Sequence, residues 1–380
     1  MDVTIIGGGV CGLALAHELA PDHDVTVLES SPGPRGGGYM IDFFGPGFVA
    51  AERMGVIDEL RSRGHEFEGV RFGTPDGKDS GSIDAAPLVA AAGGRYFSIL
   101  RPEVERGLLA QLPPSVSLRY GARGLDVREA GPDRASVQLE DEVLTADLVV
   151  AADGVRSLAR EYVAPGYGPI IPMGYRAASY LFEEPRLAAE LGERMLMTDT
   201  VERVGWVYAA SATRVGVMLA ERVDPRPTAR TVADPRRLRR DFAGLHPQVD
   251  RALEHAPDSF YDDLVAQSSA PRWNRGRVVL AGDAAHAVSL LAGQGTSLAI
   301  AGAEVLARSL RAAGPHVGAG LAEYERRWRP VVERTQRSGR RSASVFIPAT
   351  PRQLRLQQIA RRAVGLPGVS RLLTRSFIAA

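Results

Sequence analysis

Apolar residues occur along this chain in short, dense runs whose spacing alternates between that of strands and that of helices. The first runs are strand-like at 3–6, helix-like at 13–19 and strand-like again at 25–28. A strand, a helix and a second strand in this order indicate a βαβ unit, in which the two strands pair in parallel. The N-terminal segment therefore predicts the start of an α/β domain.

Later runs extend this pattern and then change it. Helix-like spacing recurs at 47–54, at 57–64, from 101 and after 296. Strand-like runs occur at 116–120, 136–139 and 148–152. The last of these is apolar throughout, which is typical of a buried parallel strand. Between 165 and 273 separate strands at 175–181, 204–210 and 214–219 predict a mixed or antiparallel sheet.

A glycine-rich loop joins the first strand to the first helix. It reads Gly7-Gly8-Gly9-Val10-Cys11-Gly12. Gly7 permits a tight turn, Gly9 lets the backbone approach a pyrophosphate, and Gly12 lets the helix pack closely on the strand. Glu29, at the end of the second strand, is placed to accept hydrogen bonds from ribose hydroxyls. The loop, its flanking elements and the acid together predict a dinucleotide site.

A second glycine motif lies near the other end of the chain. An apolar strand at 277–281 leads into Gly282-Asp283, and Gly295-Thr296 then opens a helix. A turn followed by a helix N-terminus can hold the polar groups of a cofactor. Two such motifs at opposite ends of one chain favour FAD over NAD.

Composition narrows the class of protein. The chain has 380 residues, enough for about two domains, and its 45% hydrophobic and 24% charged residues are those of an ordinary globular protein. A net charge of +1 argues against nucleic acid as the main partner. The single cysteine, Cys11, excludes an internal disulfide and fits a reducing compartment.

No apolar stretch is long enough to span a membrane, and a strand-like run begins at the N-terminus, so neither an integral membrane segment nor a signal peptide is predicted. We therefore expect a cytoplasmic protein. A metal is not expected, because His286 has no second histidine at helical spacing. The sequence also has no G-x-S-x-G elbow of a hydrolase.

With these motifs the chain resembles the single-component FAD-dependent aromatic hydroxylases, the class A flavoprotein monooxygenases of the para-hydroxybenzoate hydroxylase fold. The resemblance covers nearly the whole chain and is carried by three segments, at 7–12, 153–160 and 282–283. Within this class, segment 36–41 and the compact length look most like hydroxylases that act on polyketide antibiotics, related polycyclic phenols or tetracyclines.

The resemblance implies FAD as the cofactor and assigns residues to it. The implied cofactor-binding set is Gly7, Gly9, Val10, Cys11, Gly12, Glu29, Arg101, Asp153, Asp283, Gly295 and Thr296. The glycines of the first loop and Glu29 would hold the ADP half, with Arg101 near the pyrophosphate. Asp283 would accept from the ribityl chain, and the backbone at 295–296 would hold the flavin ring. The segment around Asp153 would support FAD and meet the nicotinamide coenzyme.

The implied fold class is α/β: a Rossmann-like FAD-binding domain with an inserted mixed or antiparallel β-sheet substrate domain and a C-terminal helical segment. The predicted pieces of the FAD-binding domain are 1–70, 96–165 and 274–322; those of the substrate domain are 71–95 and 166–273; the C-terminal helical region is 323–380. This last region is rich in arginine. We interpret it as a solvated helix over the cofactor domain rather than a surface for membranes or acidic partners.

The implied reaction is a monooxygenation. FAD reduced by NADPH or NADH would react with O2 to give a C4a-hydroperoxide, which transfers one oxygen atom to a phenolic or polycyclic aromatic substrate. Because the flavin supplies the oxidant, the protein supplies position and a dry pocket, and no catalytic residue is assigned. The pocket candidates in the middle block are Arg176, Trp206, Tyr208 and Met218.

Other functions stay open at this point. The chain departs from the family pattern with Leu290 where proline is usual, Ser30 where a basic residue is common and Gly302 where an acidic one is common. FAD-dependent Baeyer–Villiger oxygenation, dehydrogenation without hydroxylation, and non-catalytic sequestration of a ligand are the alternatives. Since there is no second G-x-G-x-x-G, the coenzyme would bind transiently, or an external flavin reductase would deliver the electrons.

Overall fold

A computed structural model describes residues 1–34, 36–167, 170–224 and 232–364. The strands are β1 Asp2–Ile6, β2 Asp24–Glu29, β3 Met40–Phe44, β4 Gly69–Gly73, β5 Asp79–Asp84, β6 Tyr96–Leu100, β7 Ser117–Tyr120, β8 Asp126–Glu129, β9 Ala135–Gln138, β10 Val143–Ala146, β11 Leu148–Ala151, β12 Ile171–Glu183, β13 Arg194–Thr200, β14 Arg203–Ala209, β15 Arg214–Arg222, β16 Tyr261–Gln267, β17 Asn274–Arg275 and β18 Val278–Leu280.

The helices are α1 Val10–Leu19, α2 Pro46–Met54, α3 Ile57–Ser62, α4 Ala86–Ala91, α5 Arg101–Ala110, α6 Ala159–Val163, α7 Pro185–Leu191, α8 Pro235–Phe242, α9 Pro247–Glu254, α10 Asp283–His286, α11 Gly295–Ala313, α12 Val317–Phe346 and α13 Pro351–Val364. A single 3-10 turn, Leu290–Ala292, precedes α11.

One sheet has the six strands in the order β17-β18-β11-β1-β2-β7. Its pairs are parallel except for the edge strand β17. Every residue of β11 is buried, as its continuous apolar run predicts. Buried residues of α1, α5 and α11 share one core with this sheet. This is the parallel α/β unit predicted from the N-terminal pattern.

The second large sheet has seven strands in the order β16-β12-β15-β14-β13-β4-β5. Its pairs are antiparallel, with the exception of β13 and β4, which run in parallel. It is the mixed sheet predicted for the middle of the chain, and the predicted fold class is confirmed. Strands β4 and β5 join the same sheet as β12 to β16, although β4 already starts at Gly69. The limits of the domains themselves stay a prediction.

The two faces of the seven-stranded sheet have different neighbours. Helices α7, α8 and α9 cover one face, where Tyr180 and Val217 share a core with Leu238. These helices are absent from the sequence prediction, since α8, for example, buries only Leu238 and Phe242 among its arginines. The opposite face, which we term the inner face, carries Met197, Val204, Trp206, Tyr208, Met218 and Ala220.

Strands β3 and β6 form a small antiparallel sheet between the two large ones. On one side, Ile41 and Phe43 pack in the core of the parallel sheet. On the other side, Met40 and Leu100 join a cluster with Tyr208 of the inner face. The small sheet therefore connects the two halves of the molecule.

The C-terminal region is helical in the residues that the structure describes, and residues 365–380 of the predicted region lie outside them. Helix α12 packs on α11 and on the 3-10 turn, whereas α13 packs on β5 of the seven-stranded sheet. Arg361 of α13 donates to both carboxylate oxygens of the buried Asp199, over 2.9 and 2.6 Å. The interpretation of the tail as a solvated helix over the cofactor domain is therefore wrong for α13, which is anchored to the other sheet.

Within the described ranges, none of the helices is both long and apolar enough to cross a membrane.

Candidate active site

The first glycine loop has a shape that side chains would prevent at two positions. Gly7 has a φ of +105°, and a Cβ atom there would lie 2.4 Å from the carbonyl oxygen of Ala152. A Cβ atom at Gly12 would lie 1.9 Å from the carbonyl oxygen of Gly7. The tight turn and the close helix packing predicted for these two glycines are thus present, and both serve the protein's own backbone.

Gly9 is different, because no protein atom requires it. A Cβ atom there would meet only Glu105 Oε1 at 3.6 Å and Arg101 Nη2 at 3.9 Å, which are ordinary contacts. Gly9 precedes α1 and gives it no side-chain cap, so the first N–H groups of α1 face this space. The loop therefore leaves a cradle at a helix N-terminus beside a cationic side chain, as a phosphate group needs.

Glu29 lies beside this cradle, at the end of β2. Its Oε2 accepts from the N–H of Gly8 over 2.9 Å, and its Oε1 accepts from the N–H of Ser31 over 2.8 Å. The side chain is 4% exposed. These bonds fix the carboxylate at the wall of a groove of about 340 Å³, whose other walls include Gly7, Gly9, Arg101, Asp153 and Arg156.

Arg101 lies on the wall of this groove, and Asp283, from a distant part of the chain, acts on it electrostatically. Arg101 Nη1 lies 3.0 Å from Glu105 Oε1, and its backbone N–H donates to the carbonyl of Tyr39 over 3.0 Å. Burial alone would lower the pKa of the Arg101 guanidinium, but Glu105, Tyr39 and Asp283 outweigh it and the pKa rises. Arg101 is therefore a permanent cation at this place.

Asp283, the first residue of α10, is exposed. Desolvation by the surrounding protein raises the pKa of its carboxyl, against the opposing effect of Arg101 and Arg160. The rings of Tyr39 and Tyr261 stand 5.5 Å apart, and both act electrostatically on Arg101. A carboxyl, a guanidinium and two phenols thus meet where the two glycine motifs converge.

Arg160 joins the second and third motifs, and the sequence did not identify this role. The residue is 1% exposed. Its Nε donates to the carbonyl of Ala284 over 2.9 Å, Nη1 to that of Val155 over 2.9 Å, and Nη2 to that of Asp283 over 3.4 Å. Burial lowers the pKa of the guanidinium. Arg160 therefore holds the turn that presents Asp283.

Asp153 lines the groove, yet its described bond is internal. Its Oδ2 accepts from the N–H of Leu158 over 2.8 Å and so shapes the loop before α6. Cys11, in the first loop, is buried, and burial raises the pKa of its thiol. Both of these residues support the backbone of the site, and the neighbouring Val10 is buried in the same core.

The second glycine motif leads from the groove to the inner face. Gly295 and Thr296 are half-buried at the start of α11. The next residue, Ser297, accepts from the N–H of Gly47 over 2.8 Å and donates to the carbonyl of Phe44 over 2.7 Å, which fixes the start of α11 against α2. Leu290, the residue that replaces the usual proline, packs against the same apolar cluster of the inner face as Trp206 does.

The four predicted pocket residues have different surroundings. Trp206 and Met218 face each other across β14 and β15 and are both half-buried on the inner face. Tyr208 is on the same face but is 2% exposed, and its hydroxyl oxygen accepts from the N–H of Met40 over 2.9 Å. Tyr208 therefore connects the inner face to β3.

Arg176 was wrongly interpreted as a pocket residue. It lies on the helix-covered face of the seven-stranded sheet, where its Nε donates to Asp262 Oδ1 over 2.5 Å and its Nη2 contacts Oδ2. Arg237 of α8 lies 4.0 Å from the same carboxylate. Because Asp262 is buried and the pair is on the far face, Arg176 serves the sheet and not a ligand at the inner face.

Five of the seven methionines contribute to the inner face or to the apolar clusters against it: Met40, Met173, Met195, Met197 and Met218. Methionine is flexible and polarizable, so it adapts to ligands of different shape. This concentration of methionines was not predicted, because the five residues are spread over β3 and three strands of the second sheet.

His286 is a core residue. It is 3% exposed, and its ring lies 5.0 Å from that of Trp273. No group of three histidine, cysteine or acidic side chains suited to a metal occurs in the part of the chain that the structure describes. Burial lowers the pKa of His286 to about 4.

This pKa predicts a pH-dependent stability. The unfolded chain binds a proton at His286 below about pH 6.5, but the folded protein does not do so until about pH 4. Stability attributable to His286 is therefore full above the unfolded pKa and falls as the pH drops, by about 2 kcal/mol between pH 7 and pH 5. Urea unfolding of the wild type and of His286→Gln at both pH values gives the change in unfolding free energy with pH for each protein, and we expect this change to be smaller in the variant.

His316→Gln is the matched control, since His316 is exposed. We expect its change in unfolding free energy between the two pH values to equal that of the wild type. An equal change in His286→Gln would contradict the assignment, whatever the variant's overall stability.

Comparisons with known proteins agree with this geometry. The chain matches the family described as FAD binding domain over residues 1–338. It is 30% identical over 366 residues to a 3-amino-4-hydroxybenzoate 2-monooxygenase of Streptomyces platensis, covering 92% of this chain and 90% of that protein. Its fold is similar to Klebsiella pneumoniae HpxO complexed with FAD and uric acid, with a TM-score of 0.83, 23% identity, and coverage of 100% of this chain and 96% of that one. The tetracycline destructase Tet(55) is also similar, with a TM-score of 0.79, 23% identity and 95% of each chain covered.

Proposed function

The chain belongs to the FAD binding domain family of class A flavoprotein monooxygenases, and from this we propose that it uses NADPH or NADH and O2 to hydroxylate a phenolic or polycyclic aromatic compound. The family and its cofactor, both predicted from the sequence, are confirmed. The proposed substrate class depends on one observation, the position of the loop that follows Asp283. This loop packs against apolar residues of the inner face, so an aromatic ring bound on the inner face would lie beside the proposed cofactor site.

The residues of the groove fit FAD. The space at Gly9, the N-terminus of α1 and Arg101 suits the pyrophosphate, and Glu29 suits the adenosine ribose. We assign Asp283 to the ribityl hydroxyls and the backbone at 295–296 to the flavin ring, since both follow the second glycine motif. Bound FAD supplies redox and oxygen-transfer chemistry, while the chain binds it, orients it and excludes water.

The inner face supports an aromatic substrate. Trp206 offers a flat apolar surface, and the methionines around it accommodate rings of different outline. The relative from Streptomyces platensis is named for an aromatic acid, and similarity to it favours an aromatic ring as the substrate here.

The electron donor is proposed to be a nicotinamide coenzyme that binds transiently near the segment around Asp153. An external flavin reductase is the alternative route for the electrons. We also propose a cytoplasmic location, since the nicotinamide coenzymes are there and the single cysteine, Cys11, needs no oxidising compartment.

Coenzyme oxidation tests the proposal. The FAD-loaded protein is mixed with NADPH or NADH and a panel of polycyclic phenols, and the absorbance of the reduced coenzyme is followed. We expect at least one phenol to accelerate the oxidation and to be converted to a heavier product. Consumption with no ligand effect and no product, also after addition of a flavin reductase, would contradict hydroxylation.

Replacing Trp206 by alanine should weaken binding of the phenol that accelerates coenzyme oxidation. We expect its KM to rise about tenfold or more, which corresponds to about 1.4 kcal/mol. The reason is the loss of a large apolar surface from the proposed ring site. Val143→Ala is the control, because Val143 is 57% exposed on a different sheet. Equal KM values for the two variants would contradict the proposal that Trp206 contacts the bound ring.

A further inference from the structure

A cluster of three hydrogen-bonded side chains, one carboxyl and two hydroxyls, lies on the small sheet beside the inner face. Asp42 of β3 and Ser98 of β6 are direct cross-strand partners, and Tyr96 is the next residue on the same side of β6. The Tyr96 hydroxyl donates to Asp42 Oδ1 over 2.7 Å, and the Ser98 hydroxyl donates to the same oxygen over 2.9 Å. Both hydroxyls therefore hold one oxygen and leave the other, Oδ2, without a described donor.

Asp42 has no cation beside it in the described ranges. Desolvation by the surrounding protein raises the pKa of its carboxyl, although the hydrogen bonds from the two hydroxyls oppose the rise. Asp42 is half-buried, and its Oδ2 does not occur among the buried side-chain atoms that lack a partner, so this oxygen is open to solvent or to a ligand. Cross-linking of β3 to β6 needs only Oδ1, so the second oxygen is not explained by the fold.

The side of the small sheet that carries Asp42 is the side turned to the inner face. Met40, two residues before Asp42, belongs to the apolar cluster that contains Tyr208, with Phe67 and Met195 packed against it. His65 pairs through its backbone with Ser98, and burial lowers the pKa of its ring. Asp42 is thus a polar acceptor at the edge of an otherwise apolar wall.

We propose that Asp42 Oδ2 is the acceptor that selects and orients the aromatic substrate, and that the preferred substrates carry a hydroxyl or amino donor on the ring. The proposal rests on the substrate class given above. Apolar walls hold a ring without fixing its rotation, whereas one acceptor in a dry wall fixes it. A site built to bond a donor also strongly rejects the analogue that lacks it, because the acceptor is then left unpaired.

Tyr96 and Ser98 act on the substrate only through Asp42 and are positioning residues. By occupying Oδ1 they turn the carboxyl so that Oδ2 is the oxygen left for a ligand. Asparagine at this position would keep an acceptor oxygen for the two hydroxyls and would present its NH2 group where Oδ2 now lies. The Asp42→Asn variant should therefore abolish the preference for a donor-bearing ring without removing the cross-link.

Ligand binding to the FAD-loaded protein, without coenzyme, tests this. The probes are naphthol, naphthylamine and methylnaphthalene, with anthrol and methylanthracene as a larger pair, and the change in flavin absorbance gives each Kd. We expect the wild type to bind the donor-bearing member of each pair about 100-fold more tightly or better. In Asp42→Asn this ratio should fall to about one, with the Kd of the methyl compounds unchanged within about threefold.

Asp58→Asn is the control, because Asp58 is an exposed acidic residue of α3 with no described ion pair. A ratio near one in the wild type, or no binding of any donor-bearing probe, would overturn the proposal even if Asp42→Asn failed to fold. An equal loss of both members of a pair in the variant would also overturn it, since a purely structural role weakens both. The binding test contains no coenzyme, so its outcome is independent of the coenzyme-oxidation assay described above. Selective binding in a protein that oxidises no coenzyme would contradict hydroxylation but not the role of Asp42. Turnover without selective binding would contradict the role of Asp42 but not hydroxylation.

Discussion

Gly9→Ala is expected to fold normally and to bind FAD at least about 100-fold more weakly than the wild type, a loss of about 2.7 kcal/mol. The new methyl group would stand in open space, with its nearest protein atoms at 3.6 and 3.9 Å. Gly9 has a φ of −78°, which alanine adopts without strain. The only thing the methyl group can obstruct is a ligand at the N-terminus of α1.

Gly12→Ala is the informative contrast in the same loop. There the Cβ atom would lie 1.9 Å from the carbonyl oxygen of Gly7 and 3.3 Å from the side chain of Ile5. Backbone must move to accommodate it, so we expect a loss of folding stability of about 3 kcal/mol or more. Gly318→Ala is the control for both, since no atom lies within 4 Å of its Cβ position.

FAD fluorescence titration and urea unfolding of the apoprotein separate these two effects. Gly9→Ala should change the Kd and leave the unfolding midpoint within the range of Gly318→Ala. Full FAD affinity in Gly9→Ala would refute the proposed position of the pyrophosphate. Destabilisation of Gly9→Ala comparable to that of Gly12→Ala would show that the loop, and not the ligand, requires this glycine.

Arg160→Leu is expected to lose about 3 kcal/mol of unfolding free energy or more and to purify without FAD. Leucine fills part of the volume but takes away the donor to the buried carbonyl of Ala284, at about 1–3 kcal/mol, and the donor to the part-buried carbonyl of Val155. The turn that presents Asp283 loses its support at the same time. Arg160→Lys should recover only part of the stability, because one ammonium cannot reproduce the guanidinium fork.

Arg128→Leu is the control. Arg128 is 79% exposed, pairs with Asp126 and does not line the groove, so its loss should cost less than about 1 kcal/mol and leave FAD binding unchanged. Urea unfolding and the ratio of flavin to protein absorbance measure both variants. If Arg160→Leu keeps as much FAD and stability as Arg128→Leu, the bonds that Arg160 makes between the two motifs do not stabilise the site.

The parts of this molecule that sequence predicts are those in which one local segment contains the whole signal. The glycine loop, β1, α1 and Glu29 follow each other within one βαβ unit, so spacing alone indicates their geometry. β11 was recognisable because burial on both faces requires a continuous apolar run.

The remainder depends on contacts between distant segments. Arg160 meets the carbonyls of 283–284 only after the sheet brings β11 and β18 together. Tyr261 reaches Tyr39 across the chain, and no spacing rule relates them. The ion pair between Arg101 and Glu105 could have been predicted, because Glu105 lies four residues after Arg101 on the same helix, but it was not.

The error at Arg176 has a specific cause. An arginine within an apolar strand suggests a ligand for its charge, but its partner Asp262 lies on the neighbouring strand β16 and close to α8. Alternation along β12 places Arg176 on the same side as Ala178 and Tyr180, which face the helices. The sequence shows which residues of β12 share a face of the sheet. It does not show which of the two faces the helices cover.

The most direct test of the central claim, FAD-dependent oxygen insertion into an aromatic ring, is the mass of the product formed under isotopically labelled O2. FAD-loaded protein, reduced coenzyme and the phenol that best stimulates coenzyme oxidation are incubated in labelled and in ordinary O2. We predict one labelled oxygen atom in each product molecule, carried as a new ring hydroxyl. An unlabelled product, or a label that enters only from water, would contradict the assignment of this chain as an aromatic monooxygenase.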